Sequence, residues 1–198
     1  MLIFTYKPKN WQLEIIKFLF PRLGAAWTTV ERPIKLENLI IIAHKHSAFF
    51  DSQFLLHLYN RSKFTVQSSY PSKIYISRNG AKSRKIVNQR DINPVLIKSG
   101  FTILNLYEYP FEAQVALVSS ANKIIYIAGS DVTMTIYAQP FCKIGVISHL
   151  SAQEASVEFC ANFGHPHVKI LTASVVVADS EFDLQVDFEE FRNFVENF

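Results

Sequence analysis

Neither a GxGxxG fingerprint nor a GxxxxGK[ST] loop occurs in this chain, so no glycine-rich phosphate loop identifies it outright. Cysteine is nearly missing. Cys142 and Cys160 are its two examples, with neither metal-ligand spacing nor the density of a secreted disulfide scaffold, and they read as reduced and structural. Charge of one sign is also in short supply: a net +3 is too small to imply nucleic acid without a concentrated basic face. Long apolar runs are wanting too. The most apolar stretch, Trp11 to Phe20, is interrupted by Gln12, Glu14 and Lys17 and ends at Pro21, short of the roughly 18 residues a spanning helix needs. The N-terminus has no signal-peptide pattern, and the expectation is a cytoplasmic protein. There is no internal repeat and no low-complexity tract.

What is present suits one buried core. Hydrophobic residues make up 49% of the 198 residues, enough for one α/β domain with a small appendage. From Asn38 onward β-branched runs alternate with helical patterns, the mark of parallel βαβ units. A strand is expected at 38–43 and a helix at 46–60, then a Ser-, Tyr- and Pro-containing connector at 64–72. This divides the chain into a short α/β segment, residues 1–70, and a Rossmann-like domain, residues 71–198. The second series predicts strands at 73–77, 101–106, 124–128, 143–147 and 174–178. Helices are predicted after Asp91, with Pro94 in the first turn and Gly100 ending it, and at 112–121, 132–138 and 152–164. A last helix is capped by Asp187, with Glu190 as its capping-box partner. The fold class is α/β, a doubly wound parallel sheet.

In such a sheet ligands lie beyond the carboxyl ends of the strands, and three strand exits carry suggestive residues. The exit at 78–84 gathers Arg78, Lys82 and Arg84, with Lys73 and Lys85 nearby; guanidinium groups grip phosphate with paired hydrogen bonds, but a solvated basic loop has the same spacing. In the exit Gly129–Thr135, Gly129 allows close backbone approach and Ser130 and Thr133 offer hydroxyls, while Asp131 is either a helix cap or a repulsive neighbour to phosphate unless it turns away or binds a ribose hydroxyl. The exit 44–51 holds His44, His46 and Asp51, which suit either a general base or a polar helix start; a third metal ligand at suitable spacing is missing, so no metal site is expected.

Taken in order, Ser77, Arg78, Arg84, Asn88, Gly100, Phe101, Gln114, Gly129, Thr133 and Tyr137 resemble the catalytic half of glycosyltransferase family 61: a "YISR" strand exit, a second Arg and an Asn, a Gly-Phe, a Gln at a helix start, and a glycine turn leading to Thr and an aromatic. The tail "DLQVDFEEFRNFVENF" is similar to the family's ending. The resemblance implies a Rossmann-like C-terminal half of a GT-B fold and inverting, metal-independent transfer from a nucleotide sugar to a glycan or lipid-linked glycan acceptor in bacterial surface polysaccharide or lipopolysaccharide synthesis. It requires no cofactor and no nucleic acid. Arg78, Arg84, Asn88, Gln114, Gly129, Ser130 and Thr133 would then bind the donor, with His44, His46 or Asp51 as base. The chain departs from the pattern at Ala128, where the family commonly has His, and at Asp131, Met134 and Ala113. A second reading therefore stays open, that of a catalytically degenerate member serving as a binding or assembly partner. Contact of residues 11–22 with the inner face of the cytoplasmic membrane, and pairing with a second copy or partner subunit, are further expectations.

Overall fold

The computed structural model describes residues 2–4, 10, 13, 14, 17, 27–29, 69–178 and 181–198. The strand expected at 38–43, the helix at 46–60, and His44, His46 and Asp51 lie outside the described residues. The chain divides into two compact units, Met1–Ser62 and Lys63–Phe198. In the first, β1 (Leu2–Phe4) pairs in parallel with β2 (Trp27–Thr29), Leu2 opposite Trp27.

The second unit is built on a five-stranded, wholly parallel sheet of β3 (Lys73–Ile76), β4 (Thr102–Leu104), β5 (Lys123–Ile127), β6 (Lys143–Ser148) and β7 (Val168–Thr172). Their order across the sheet is β4-β3-β5-β6-β7. The chain thus steps outward from β3 to β4, then returns past β3 to lay β5 on its other side. Since βαβ crossovers are right-handed, that reversal puts α1 (Gln89–Lys98) and α2 (Phe111–Ser120) on opposite faces. The result is a Rossmann-like doubly wound sheet whose topological switch point lies between β3 and β5.

Both faces are covered, which is why the strands read as continuous apolar runs rather than alternations. Tyr75, Ile125, Ile127 and Ile147 belong to a core with Ile92 and Leu96 of α1 and with Phe191, Phe194 and Val195 of α4 (Phe188–Glu196). The alternate residues, Ile74, Ile76, Ile124, Tyr126, Ile144 and Val146, are as deeply buried. Gly145 in β6 makes room for α4: a Cβ there would lie 2.9 Å from Phe194 Cζ and 3.2 Å from Phe198 Cζ. Cys142 and Cys160 are buried and unbridged, their thiols pushed up to about 12 and about 11 by burial.

Several local expectations change. Helix α1 begins at Gln89, so Asp91 sits inside the first turn and Pro94 lies a turn deeper than its capping by Asp91 would require. Asn88, at the N-cap position, makes no side-chain cap hydrogen bond, because its amide is tied to Val186, as described below. The end is as expected: Gly100 at φ 80° lets its own N–H reach Ile97 O and that of Phe101 reach Leu96 O. The helix expected at 132–138 is a 3-10 helix, Ser130–Tyr137, and the strand at 101–106 shortens to β4. Helix α3 runs Gln153–Asn162. Asp187 caps α4, its carboxylate accepting from Glu190 N–H at 2.9 Å.

Beside β1 and β2, two strands of the second unit have no counterpart among the expected elements. One is β7. The other is β9 (Glu181–Gln185), which pairs antiparallel with β8 (Ser174–Ala178). The mixed content of "VKILT" carries little period-2 signal, and pairing with β6 decides its conformation; "EFDLQ" alternates polar and apolar residues as a half-buried strand does, a signal short enough to be passed over beside the helix that follows.

The amino-terminal edge of the sheet has its own electrostatic logic. Lys73, Lys123 and Lys143 share one register row. Lys73 Nζ donates to Ser99 O and Lys169 Nζ to Asn197 O, each at 3.0 Å, satisfying carbonyls at the negative ends of α1 and α4. Burial, and then the neighbouring Lys143, Lys73 and Lys169, lower the proton affinity of Lys123. Lys73 is therefore a helix-end partner, at the opposite end of β3 from Arg78.

Candidate functional site

The segment leaving β3 and the segment leaving β5 meet at the switch point. Ser77 is buried, and its Oγ accepts from Asn79 N–H at 3.1 Å, so the chain turns immediately after the strand. The turn is latched from outside by the Tyr107 hydroxyl, which donates to Asn79 O, and a side chain at Gly80 (φ 87°) would overlap that hydroxyl. Arg78 is thereby aimed across the edge of the sheet toward β5.

Arg84 arrives by a different route. It is one of two non-glycine residues described at positive φ, 61°, a conformation that needs support from its surroundings. That support comes from β9. Arg84 N–H donates to Phe182 O at 2.8 Å, Leu184 N–H to Lys85 O at 2.7 Å and Val87 N–H to Leu184 O at 2.8 Å. Asp183 adds its carboxylate, accepting from Lys85 N–H at 3.0 Å with Lys85 Nζ 3.7 Å away. Asn88 completes the seam, donating Nδ2 to Val186 O at 2.8 Å and accepting from Val186 N–H at 3.3 Å.

The two guanidinium groups converge on Gly129. A Cβ built there would lie 2.7 Å from Arg78 Nη1 and 3.2 Å from Arg84 Nη1. The two nitrogens are thus within about 6 Å of each other, a range over which like charges influence one another's ionisation. Burial, and next the Arg78 charge, lower the proton affinity of Arg84, with Asp131 opposing. Arg84 Nη1 donates to Ala128 O at 3.3 Å, the residue that follows β5. Arg78 Nε reaches Ser83 O at 3.5 Å, and its Nη1 pairs with Asp131 Oδ2 at 2.6 Å. Two cations and one carboxylate leave one positive charge uncompensated. The opening of the 3-10 helix after Gly129 supplies backbone N–H groups of the kind that lack partners at a helix start.

Such a cradle has the donors, charge and close backbone approach that a phosphate or diphosphate requires. A cavity of about 610 Å3 opens at the amino end of α1 and is lined by residues including Asn79, Asn88, Arg90 and Asp91; of the turn after β3 it takes in Asn79, next to Arg78 in the chain.

The remaining predicted residues divide. Ser130 is exposed at the start of the 3-10 helix, and Thr133 Oγ1 donates to Ser130 O at 2.6 Å, stabilising that turn. Gln114 Nε2 donates to Tyr109 O at 2.9 Å and steadies the loop before α2. Asn88 is tied to Val186, as described. Lys85 is paired with Asp183, and Lys82 is exposed. Sequence reasoning missed Phe182, Asp183, Leu184 and Tyr107 as supports of the site. Their partners are far away along the chain, about 98 residues for Asp183 and Lys85, and no local pattern announces them.

Among the described residues no group of three or more His, Cys, Asp and Glu side chains is placed to hold a metal ion, and no helix is long and apolar enough to cross a membrane. No curated protein gives a significant match to the chain. A family model does: the model described as Glycosyltransferase 61 matches residues 5–145, well over half of the chain and inclusive of Arg78, Arg84 and Gly129. On that match the chain belongs to glycosyltransferase family 61.

Proposed function

We propose that the cradle of Arg78, Arg84 and Gly129 binds the diphosphate of a nucleotide sugar, and that the chain transfers the sugar to a glycan or lipid-linked glycan acceptor. The observation that carries this reading is the meeting of both Nη1 atoms over Gly129 at the switch point between β3 and β5. Developing charge on the leaving diphosphate would be stabilised by fixed donors already in place, with no reorganisation needed at the moment of bond cleavage. In this reading transfer is inverting and metal-independent, the two guanidiniums taking the charge, and no cofactor is needed. The cavity beside Asn79 and Arg90 is assigned to the rest of the donor. Residues 71–198 form the donor domain of a GT-B type enzyme and residues 1–70 the shorter acceptor segment. The base that deprotonates the acceptor hydroxyl is assigned, from sequence alone, to His44, His46 or Asp51. The proposed setting is bacterial surface polysaccharide or lipopolysaccharide synthesis at the cytoplasmic side of the membrane.

A second reading, a degenerate member that retains the fold as a binding partner, is favoured by Asp131 on Arg78 and by Ala128 in place of the family's His. Titration with UDP, GDP and ADP at low salt, followed by donor hydrolysis assays, tests both. The expected result is saturable binding that weakens about 10- to 150-fold in Arg78→Ala and in Arg84→Ala, the loss of one charged hydrogen bond of about 1.5–3 kcal/mol. Wild-type affinity in both variants would remove the cradle from the donor site. Binding without any hydrolysis or transfer would favour the degenerate module.

A further inference from the structure

One carboxylate stands among the two cations, and it holds the atom that faces the cradle. Arg78 Nη1 is both the nearest atom to the point above Gly129 and the atom paired with Asp131 Oδ2 at 2.6 Å. The Arg78 side chain is 11% exposed and that of Asp131 32%, so the arginine is the fixed member and the aspartate the one with access to water. Asp131 sits in the first turn of the 3-10 helix after Gly129, at the site's rim. Its carboxylate sets one anionic oxygen, Oδ2, against Arg78 Nη1, where a phosphate oxygen would otherwise sit.

We infer that Asp131 is a specificity-determining residue of this cradle: it takes the place of a ligand oxygen on Arg78 and, when displaced, leaves a negative charge that selects the less charged sugar diphosphate over the free nucleoside diphosphate. The inference rests on the proposed donor site. A sugar ester has a singly charged phosphate at each position, whereas the free diphosphate has a terminal phosphoryl group whose second ionisation, near 6 for a phosphomonoester, adds a charge at neutral pH. That added charge meets Asp131 at the rim. Its repulsion weakens the spent diphosphate more than the intact donor, and so favours release of the product once the glycosidic bond of the donor has been broken.

The test compares the affinities of UDP with UDP-glucose, GDP with GDP-mannose and ADP with ADP-glucose by calorimetry, in wild type, Asp131→Asn and Asp131→Glu, at pH 7.5 and two salt concentrations. Asp131→Asn keeps the shape and removes the charge. The expected result is a gain of roughly tenfold or more for the free diphosphate and a clearly smaller gain for its sugar ester. Asp131→Glu should restore the wild-type preference. Weaker binding of both ligands in Asp131→Asn would overturn the inference, showing that the carboxylate positions Arg78 for binding; an equal gain for both would overturn the claimed selectivity. Should Asp131→Asn fail to fold, Asp131→Ser makes the same comparison. Failure of the donor site itself is distinct: no pair would bind saturably to wild type or to any variant.

Discussion

Replacing Gly129 by alanine separates the role of the cradle from the stability of the fold. Gly129 has φ 166° and ψ −166°, extended backbone that alanine adopts without strain, and the substitution reduces the freedom of the unfolded chain by about 0.4–1 kcal/mol in the folded state's favour. The added methyl would stand 2.7 Å from Arg78 Nη1, 3.2 Å from Arg78 Cζ and 3.2 Å from Arg84 Nη1. These are the ends of long side chains, so they withdraw by several tenths of an ångström rather than break the core. The fold therefore loses little, and the variant's melting temperature should stay close to that of wild type. Binding does not escape. Two guanidiniums pushed off a common focus forfeit at least one charged hydrogen bond to the ligand, about 1.5–3 kcal/mol, or roughly 10- to 150-fold in dissociation constant. Calorimetric titration with UDP, GDP and ADP, paired with thermal unfolding of the same samples, reads both quantities. Wild-type affinity in Gly129→Ala would refute the claim that close approach at this position matters. A large fall in melting temperature with no change in affinity would make Gly129 a packing residue instead.

Gly145→Ala should do the reverse. Its Cβ would press on the Phe194 and Phe198 rings, which are part of the core, at an overpacking cost of about 1–3 kcal/mol; thermal unfolding should show a lower midpoint while nucleotide affinity remains at wild type. His165 predicts a pH dependence. The ring is buried, with Nδ1 3.2 Å from Cys142 O, and burial lowers its proton affinity against the opposing pull of the Cys142 and Thr135 backbone. Its folded form therefore stays neutral at pH values where the unfolded chain, near 6.5, has begun to bind a proton. Stability should be unaffected by this group above that value and fall as pH drops below it, by at most about 1.4 kcal/mol per pH unit. Urea midpoints from pH 8 to 5 should show this slope in wild type and a shallower one in His165→Gln; identical slopes would exclude His165 as its source.

The parallel sheet was legible because its strands are short β-branched runs buried on both faces, and because the Gly100 turn and the Asp187 cap are local chemistry. Arg78 and Arg84 stood out for the same local reason, as cations at a strand exit. Their supports did not. The positive φ of Arg84 is sustained by a strand nearly a hundred residues later, and the pairing of "EFDLQ" with the Arg84 segment follows from tertiary packing of Leu184 and Ile86 into the core. Asp131 shows a different limit. In sequence it has two incompatible readings, a helix cap or a misplaced anion, and the structure gives a third, the counter-ion of Arg78. A helix at 132–138 is legible in the sequence, but its 3-10 winding over Ser130–Tyr137 is not, since no local pattern there separates the two periods.

The topology explains why these particular turns converge. In the order β4-β3-β5-β6-β7, the connections leaving β3 and β5 depart toward opposite faces of the sheet, and neither helix can cover the gap between the two strand ends. Residues just beyond Ile76 and Ile127 therefore face each other across an edge that the fold leaves open. Two arginines placed there would repel one another over empty space, a cost that Asp131 and the Ala128 carbonyl offset while no ligand is bound. An anion carrying two charges offsets it more completely. In the proposed donor site a diphosphate can set one phosphoryl group against each guanidinium, whereas a single phosphate must share its oxygens between the two. Inorganic phosphate should accordingly bind far more weakly than inorganic diphosphate, and equal affinity for the two would mean that Arg78 and Arg84 do not act on one ligand together.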